Sequence, residues 1–312
     1  MAHLITLTGN LLAETTAYYR SANWGRTQRA YQESFQVGGK GINVSRMAER
    51  LGLETTAYCF TGGFIGQKCE AWLEAQPFAY RAFGLGAENR QGWVARVDDR
   101  PDETTFMGQD RPVPFEAWKK ALAAIAEERP GWIALCGSMP GWDGRFTASL
   151  QEAMEALQPQ GVRFALDCYG APLEAALELP FDLLKINRDE WRGMAEARSW
   201  HEDPRYGLEA VHEAPVRRWI ITDGGNEVLF CDDGRALYRL NPPRLEQMVS
   251  PVGSGDVTLA ALLAHLEQGE SWPAALAEAM RYGAVNAGDA GVAAFDLEAV
   301  RTLALPRVER LS

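Results

Sequence analysis

Short apolar runs alternate with amphipathic stretches along most of this 312-residue chain. Leu4–Thr8 reads as a short buried strand. Residues 16–20 and 29–37 mix aromatic and polar side chains, as a half-exposed sheet does. After Gly38-Gly39-Lys40-Gly41 the period changes. Val44, Met47, Ala48 and Leu51 share one face, which predicts a helix over 43–51 with Gly52 as its stop. From residue 54 strand and helix patterns take turns: strand 55–60, helix 67–74, helix 115–128, strand 132–136, helix 146–157, strand 163–167, strand 182–186 and a helix after Arg188. Strands 218–222, 227–231 and 236–240 follow, the last two joined by a turn at Asp232-Asp233-Gly234. Residues 256–266 are apolar almost all round, the mark of a buried helix, and 273–287 forms another.

This rhythm predicts an α/β fold with a mostly parallel central sheet and helices on both faces. The short strands expected at 80–83, 92–97 and 104–107 break the rhythm. With 16–37 they predict a small β-lid, built from segments near 16–37 and 80–107, over one end of a single domain spanning 1–312.

Hydrophobic residues make up 46% of the chain, enough for a sizeable core. The net charge of −11 argues against nucleic acid or an anionic membrane as partner, but not against a small anionic ligand held in a local pocket. Cys59, Cys69, Cys136, Cys168 and Cys231 include no C-x-x-C pair and are odd in number, so buried free thiols are expected. The N-terminus lacks a signal-peptide pattern and no apolar run is long enough to span a membrane; a soluble cytoplasmic protein is expected. His3, His201, His212 and His265 are scattered and suggest neither a metal site nor a triad.

Three segments carry candidate chemistry. Gly253-Ser254-Gly255-Asp256 opens the buried helix, where free N–H groups and the helix dipole can hold a phosphate or a developing negative charge. Asp256 in that place would repel phosphates but could take a proton from an attacking hydroxyl; it reads equally as an ordinary acidic first turn. Gly38-Gly39-Lys40-Gly41-Ile42-Asn43 is neither a dinucleotide fingerprint nor a P-loop. It offers a lysine and an amide on a glycine turn, suited to a polar or phosphorylated ligand. Lys185-Ile186-Asn187-Arg188-Asp189-Glu190 follows a strand, where ligands of parallel sheets gather. Asn187 and Glu190 could serve a hydrated magnesium ion, or form a capping box. Two weaker segments, Cys136-Gly137-Ser138-Met139-Pro140 and Asp223-Gly224-Gly225, could border the pocket and approach a nucleotide.

Taken in this order, the segments resemble the ribokinase-like carbohydrate kinases of the phosphofructokinase-B type, over nearly the whole chain. Ile5-Thr6-Leu7 with Asn10, and Gly39 to Val44, look most similar to the branch with 1-phosphofructokinase and tagatose-6-phosphate kinase. The resemblance implies transfer of the ATP γ-phosphate to a sugar or sugar-phosphate hydroxyl with Mg²⁺. It implies Asp256 as base, the N–H groups of Gly253, Ser254 and Gly255 as anion hole, and Asn187 and Glu190 in the magnesium–phosphate network. Glu14, Gly39, Lys40 and Asn43 would bind the acceptor. Lys185, Asn187, Thr222, Gly224, Gly225 and Asn286 would serve the nucleotide. It leaves room for a monovalent cation and for a homodimer formed through the lid.

Departures concern the acceptor more than the reaction. Glu14 stands where the family has Asp. Gln91 and Trp93 align where the phosphosugar branch has Arg and Asn, and a further Arg falls at Gly170. Glu227 takes a glycine position of the nucleotide loop. Arg90 could replace the missing guanidinium by a one-residue shift, and Trp93 could stack on a sugar ring. A kinase for an unphosphorylated sugar or nucleoside, and a catalytically silent sugar- or nucleotide-binding protein, are the alternatives.

Overall fold

The computed structural model describes residues 3–100, 103–211, 214–234, 236–245 and 247–311. The chain runs β1 (Leu4–Thr8), β2 (Leu12–Tyr19), β3 (Gln32–Gly38), α1 (Lys40–Arg50), β4 (Thr55–Thr61), α2 (Gly63–Glu74), β5 (Ala79–Gly84), β6 (Arg90–Val97), β7 (Glu103–Met107), α3 (Phe115–Glu128), β8 (Trp132–Gly137), α4 (Gly144–Leu157) and β9 (Arg163–Cys168). It continues through α5 (Ala171–Ala176), β10 (Leu183–Asn187), α6 (Arg188–Arg198), α7 (Pro204–Val211), β11 (Arg218–Asp223), β12 (Glu227–Asp232), β13 (Ala236–Leu240), α8 (Ser254–Glu267), α9 (Trp272–Ala287), α10 (Glu298–Thr302) and β14 (Glu309–Arg310).

The large sheet has the order β14-β13-β12-β11-β10-β9-β8-β1-β4-β5. Strands β5 to β11 in that order pair in parallel; β12, β13 and β14 pair antiparallel and extend one side. The parallel strands are apolar on both faces because helices cover both. On one face Ile5, Leu7, Ile133, Leu135, Phe164 and Leu184 pack with Trp118 of α3, Phe146 of α4 and Trp191 of α6. On the other, Leu4, Trp132, Ala165 and Ile220 meet α1, α8 and α9. Helix α8 lies against α1, α9 and the sheet together, which is why Val257 to Ala264 are all buried.

The lid is a separate sheet of order β3-β2-β6-β7. Residues 80–83, expected there, belong instead to the large sheet. They lie in β5, which pairs in parallel with β4 and buries Phe83 against Tyr58 and Phe60. As an outermost parallel strand β5 is exposed at alternate positions, so its pattern mimics a lid strand. Two helices start earlier than expected, α1 at Lys40 and α2 at Gly63, in both cases after glycines whose extended or positive-φ backbone lets the chain enter the helix directly.

The cysteines are free and buried, as expected. No helix among the described residues is long and apolar enough to cross a membrane.

Candidate active site

Parallel strands that run the same way bring their carboxyl ends to one edge of the sheet. Thr8, Gly137, Asp167, Asn187 and Thr222 gather there, and the inner face of the lid roofs them over. The cavity between has a volume of about 1280 Å³. That exceeds the usual 300–1,000 Å³ of a single small-molecule pocket, as a site for two substrates requires. One arm lies under the lid, lined by Asn10, Glu14, Gln36, Lys40, Arg90 and Ser138. The other lies beside β11 and α9, lined by Thr222, Gly224, Gly225, Pro242, Leu245 and Ala284. The start of α8 sits at their junction.

Local backbone chemistry explains that junction. Gly253 has φ of 74°, and a Cβ there would overlap Val292. A Cβ on Gly255 would come within 3.0 Å of the Lys185 Nζ. The two glycines thus let the chain turn into α8 and let an ammonium group approach its first turn. The Ser254 N–H donates to Pro251 O at 3.2 Å and is engaged in the turn. Those of Gly253 and Gly255 have no acceptor among the described residues, and the Lys185 ammonium approaches the same turn.

Asp256 is buried and accepts a hydrogen bond of 2.8 Å from Asn43 Nδ2 on α1. Burial, with the nearby Asp167 charge, raises its pKa to about 7, against the opposing influence of Lys40, Asn43 and Lys185. A carboxyl poised there can exchange a proton at neutral pH. Asp167, at the end of β9, takes Lys40 Nζ on one oxygen at 2.6 Å and Lys185 Nζ on the other at 2.7 Å. Burial would raise Asp167, but the charges of Lys185 and Lys40 prevail and hold it at about 2. Lys40 stays firmly protonated: burial lowers its pKa, yet the Asp167 and Asp256 charges raise it further.

Asn187 and Glu190 form the capping box of α6. Glu190 N–H donates to Asn187 Oδ1 and Asn187 N–H to Glu190 Oε2, both at 2.8 Å. Both residues also line the cavity, so capping and ligand contact are not exclusive. Burial raises the Glu190 pKa, a cost that a nearby cation would relieve. No cluster of three or more His, Cys, Asp or Glu among the described residues is arranged to hold a metal. His212 lies outside the described residues.

Of the expected site residues, Glu14, Gly39, Lys40, Asn43, Lys185, Asn187, Glu190, Thr222, Gly224, Gly225 and Gly253 to Asp256 all line the cavity. Asn286 does not. It is buried, donates to Val252 O at 3.0 Å and Ser254 Oγ at 3.1 Å, and accepts from Ala293 N–H at 2.8 Å. Its amide fastens the turn before α8 to the segment after α9. Asn286→Ala should leave the Ala293 N–H unpaired, at a cost of about 1–3 kcal/mol. A thermal melt is expected to show a fall of a few degrees, with no change in nucleotide contacts of its own.

The lid residues also need reassignment. Arg90, Val94 and Arg96 face the cavity, whereas Gln91 and Trp93 alternate to the outer face. Trp93 therefore cannot stack on a ligand inside, and the one-residue shift to Arg90 is what the strand register produces. Gly170 does not line this cavity, and Tyr169 stands at its wall instead. Glu227 lies outside the cavity and pairs with Arg188 and Arg205. Asp167 was the chief residue missed. An acid ending the otherwise apolar run Phe164-Ala165-Leu166 was the signal available.

The family model for pfkB family carbohydrate kinases matches residues 3–299. A tagatose-6-phosphate kinase of Staphylococcus epidermidis is 27% identical over 291 residues, covering 91% of this chain and 92% of that protein. Among solved structures, phosphofructokinase-2 from Escherichia coli in complex with potassium superposes with a TM-score of 0.86 at 20% identity, over 97% of this chain and 98% of that one. A carbohydrate kinase from Agrobacterium tumefaciens gives 0.73 at 17% identity over 100% of both chains. The fold is that of ribokinase-like kinases, and the chain belongs to the pfkB family of carbohydrate kinases. It is an enzyme, a sugar kinase, and the family implies use of ATP.

Proposed function

We propose that this protein transfers the γ-phosphoryl group of ATP to a hydroxyl of a sugar phosphate, with Asp256 as general base. The observation that carries the reading is the buried Asp256 carboxyl, set at about pKa 7 on the first turn of α8 between two cavity arms. The acceptor hydroxyl gives its proton to Asp256 as its oxygen attacks the γ-phosphorus. The bond from that phosphorus to the β–γ bridging oxygen breaks, and ADP leaves. Gly253 and Gly255 N–H groups and Lys185 face the charge that develops. Asn187 and Glu190 fit a hydrated magnesium ion, which needs only one or two carboxylates or amides and keeps its waters. Magnesium would neutralise charge on the nucleotide phosphates.

A phosphorylated acceptor is favoured by Arg90. Arg90 lines the cavity together with Lys40 and Ser138, and its buried Nε has no hydrogen-bond partner among the described residues. Asn10 O and Asp110 hold its other nitrogens at 3.1 and 2.8 Å, so the group is aimed rather than free. The S. epidermidis relative, named for a phosphosugar, supports the same class. Asp110 also offsets the Arg90 charge, and that pairing is the one observation favouring an unphosphorylated acceptor.

The test is ADP release from ATP and Mg²⁺ across paired free and phosphorylated sugars. Activity is expected with phosphorylated members. Arg90→Gln should raise their KM about ten- to a hundredfold, from loss of a charged hydrogen bond worth about 1.5–3 kcal/mol. Equal or better turnover of the free sugars would contradict the acceptor class while leaving the kinase assignment standing.

A further inference from the structure

Asp167 has no part in the transfer step as described so far, yet it is among the few fully charged side chains buried in the molecule. A lone buried carboxylate is costly, so its retention calls for partners. It has two, and they come from different elements: Lys40 from the first position of α1 and Lys185 from β10. Both lysines line the cavity. Without a carboxylate between them their like charges would drive them apart. Asp256, whose titration both lysines influence, is an acid that either could join.

We propose that Asp167 is a positioning residue for phosphoryl transfer: it holds Lys40 and Lys185 side by side, one on each oxygen, and keeps both from pairing with Asp256. The inference rests on the kinase reading of the site. As arranged, the trio of Lys40, Lys185 and Asp167 carries a net positive charge, which suits an incoming phosphate. Among the described residues Asp256 keeps only the Asn43 amide as its side-chain hydrogen-bond partner and remains free to take a proton.

The groups around Asp256 are Lys40 on α1, Cys136 on β8, Asp167 on β9 and Lys185 on β10, with Glu190 of α6 beyond Lys40. Cys136 is kept neutral by burial. Removing the Asp167 charge takes away a repulsion and releases two cations, and both changes favour the ionised form of Asp256. The direction is therefore fixed: Asp256 should titrate at lower pH.

The experiment reads carboxyl ¹³C shifts of the free protein against pH, with the Asp256 signal assigned by its loss in Asp256→Asn, alongside kcat and KM. In Asp167→Asn the Asp256 titration should move down by about one unit or more, and kcat should fall more than KM for ATP rises. Asp167→Glu keeps the charge and lengthens the arm. It should leave the titration near its wild-type position and lower kcat about ten- to a hundredfold, as misplacing the lysines by an ångström would. An unmoved titration in Asp167→Asn, or wild-type kcat in Asp167→Glu, overturns the proposal. If Asp167→Asn does not fold, the kcat of Asp167→Glu decides alone. Because the titration needs no substrate, its failure is separate from a failure of the kinase reading, which would appear as full activity in Asp256→Asn.

Discussion

Asp256→Asn is expected to lower kcat by about 10²–10⁴-fold or more while nucleotide binding survives. The substitution keeps shape and removes the proton acceptor. It also leaves the Asn43 contact available, since an amide oxygen can still accept from Asn43 Nδ2. The loss should be in the chemical step, so KM for ATP should change little. In the wild type the acid limb of kcat/KM reports the free enzyme. With Asp256 raised to about 7, the base form is lost as pH falls through that value. Activity should thus drop about tenfold per unit below it and level off above it. Asp256→Asn should show only a low, pH-insensitive residue. Titration of ADP into both proteins separates lost chemistry from lost binding.

Gly253→Ala should have the next largest effect, on both activity and stability. The added Cβ would sit at a φ of 74° and inside the side chain of Val292. Left-handed strain costs about 1–2 kcal/mol and overpacking about 1–3 kcal/mol more. The turn can relieve this only by moving the Gly253 N–H, one of the two free donors facing the developing charge. Loss of such a donor costs about 10²–10³ in kcat. A lowered thermal midpoint together with lowered kcat is the expected pair. An unchanged kcat would mean that the N–H does not face the reacting phosphate.

These expectations rest on features that the sequence displayed unevenly. Helix α8 was legible because its apolar residues circle the whole helix, which only a position between the sheet and two other helices satisfies. Gly253 before it and Gly255 in its first turn announced a backbone approach, and the close approach is there. The lid was legible except for one strand, β5, which joins the large sheet instead. An outermost parallel strand such as β5 alternates in exposure just as a lid strand does, and pairing partners are not written in the alternation.

Site residues divided in the same way. Lys40, Asn43, Lys185, Asn187 and Asp256 lie on local segments with glycines or caps that mark them. Asp167 pairs with lysines 127 and 18 residues away; the acid ending an apolar run marks the position, but the long-range pairing itself leaves no local trace. Asn286 differs in another way. The family resemblance alone pointed to it, and its amide is engaged by Val252, Ser254 and Ala293 rather than turned to the cavity. The lid register was a matter of one residue: in a strand, a shift by one reverses the face, and that moved Arg90 into the cavity and Trp93 out of it.

The central claim is that a hydroxyl deprotonated by Asp256 takes the γ-phosphoryl group. The most direct measurement follows the ³¹P spectrum of ATP, Mg²⁺ and a set of phosphorylated sugars with wild-type protein and with Asp256→Asn. The account predicts that ADP and a new phosphate ester grow in equal amounts with the wild type and at least a hundredfold more slowly with the variant. ADP accompanied only by inorganic phosphate, or a new ester formed equally fast by Asp256→Asn, would contradict it.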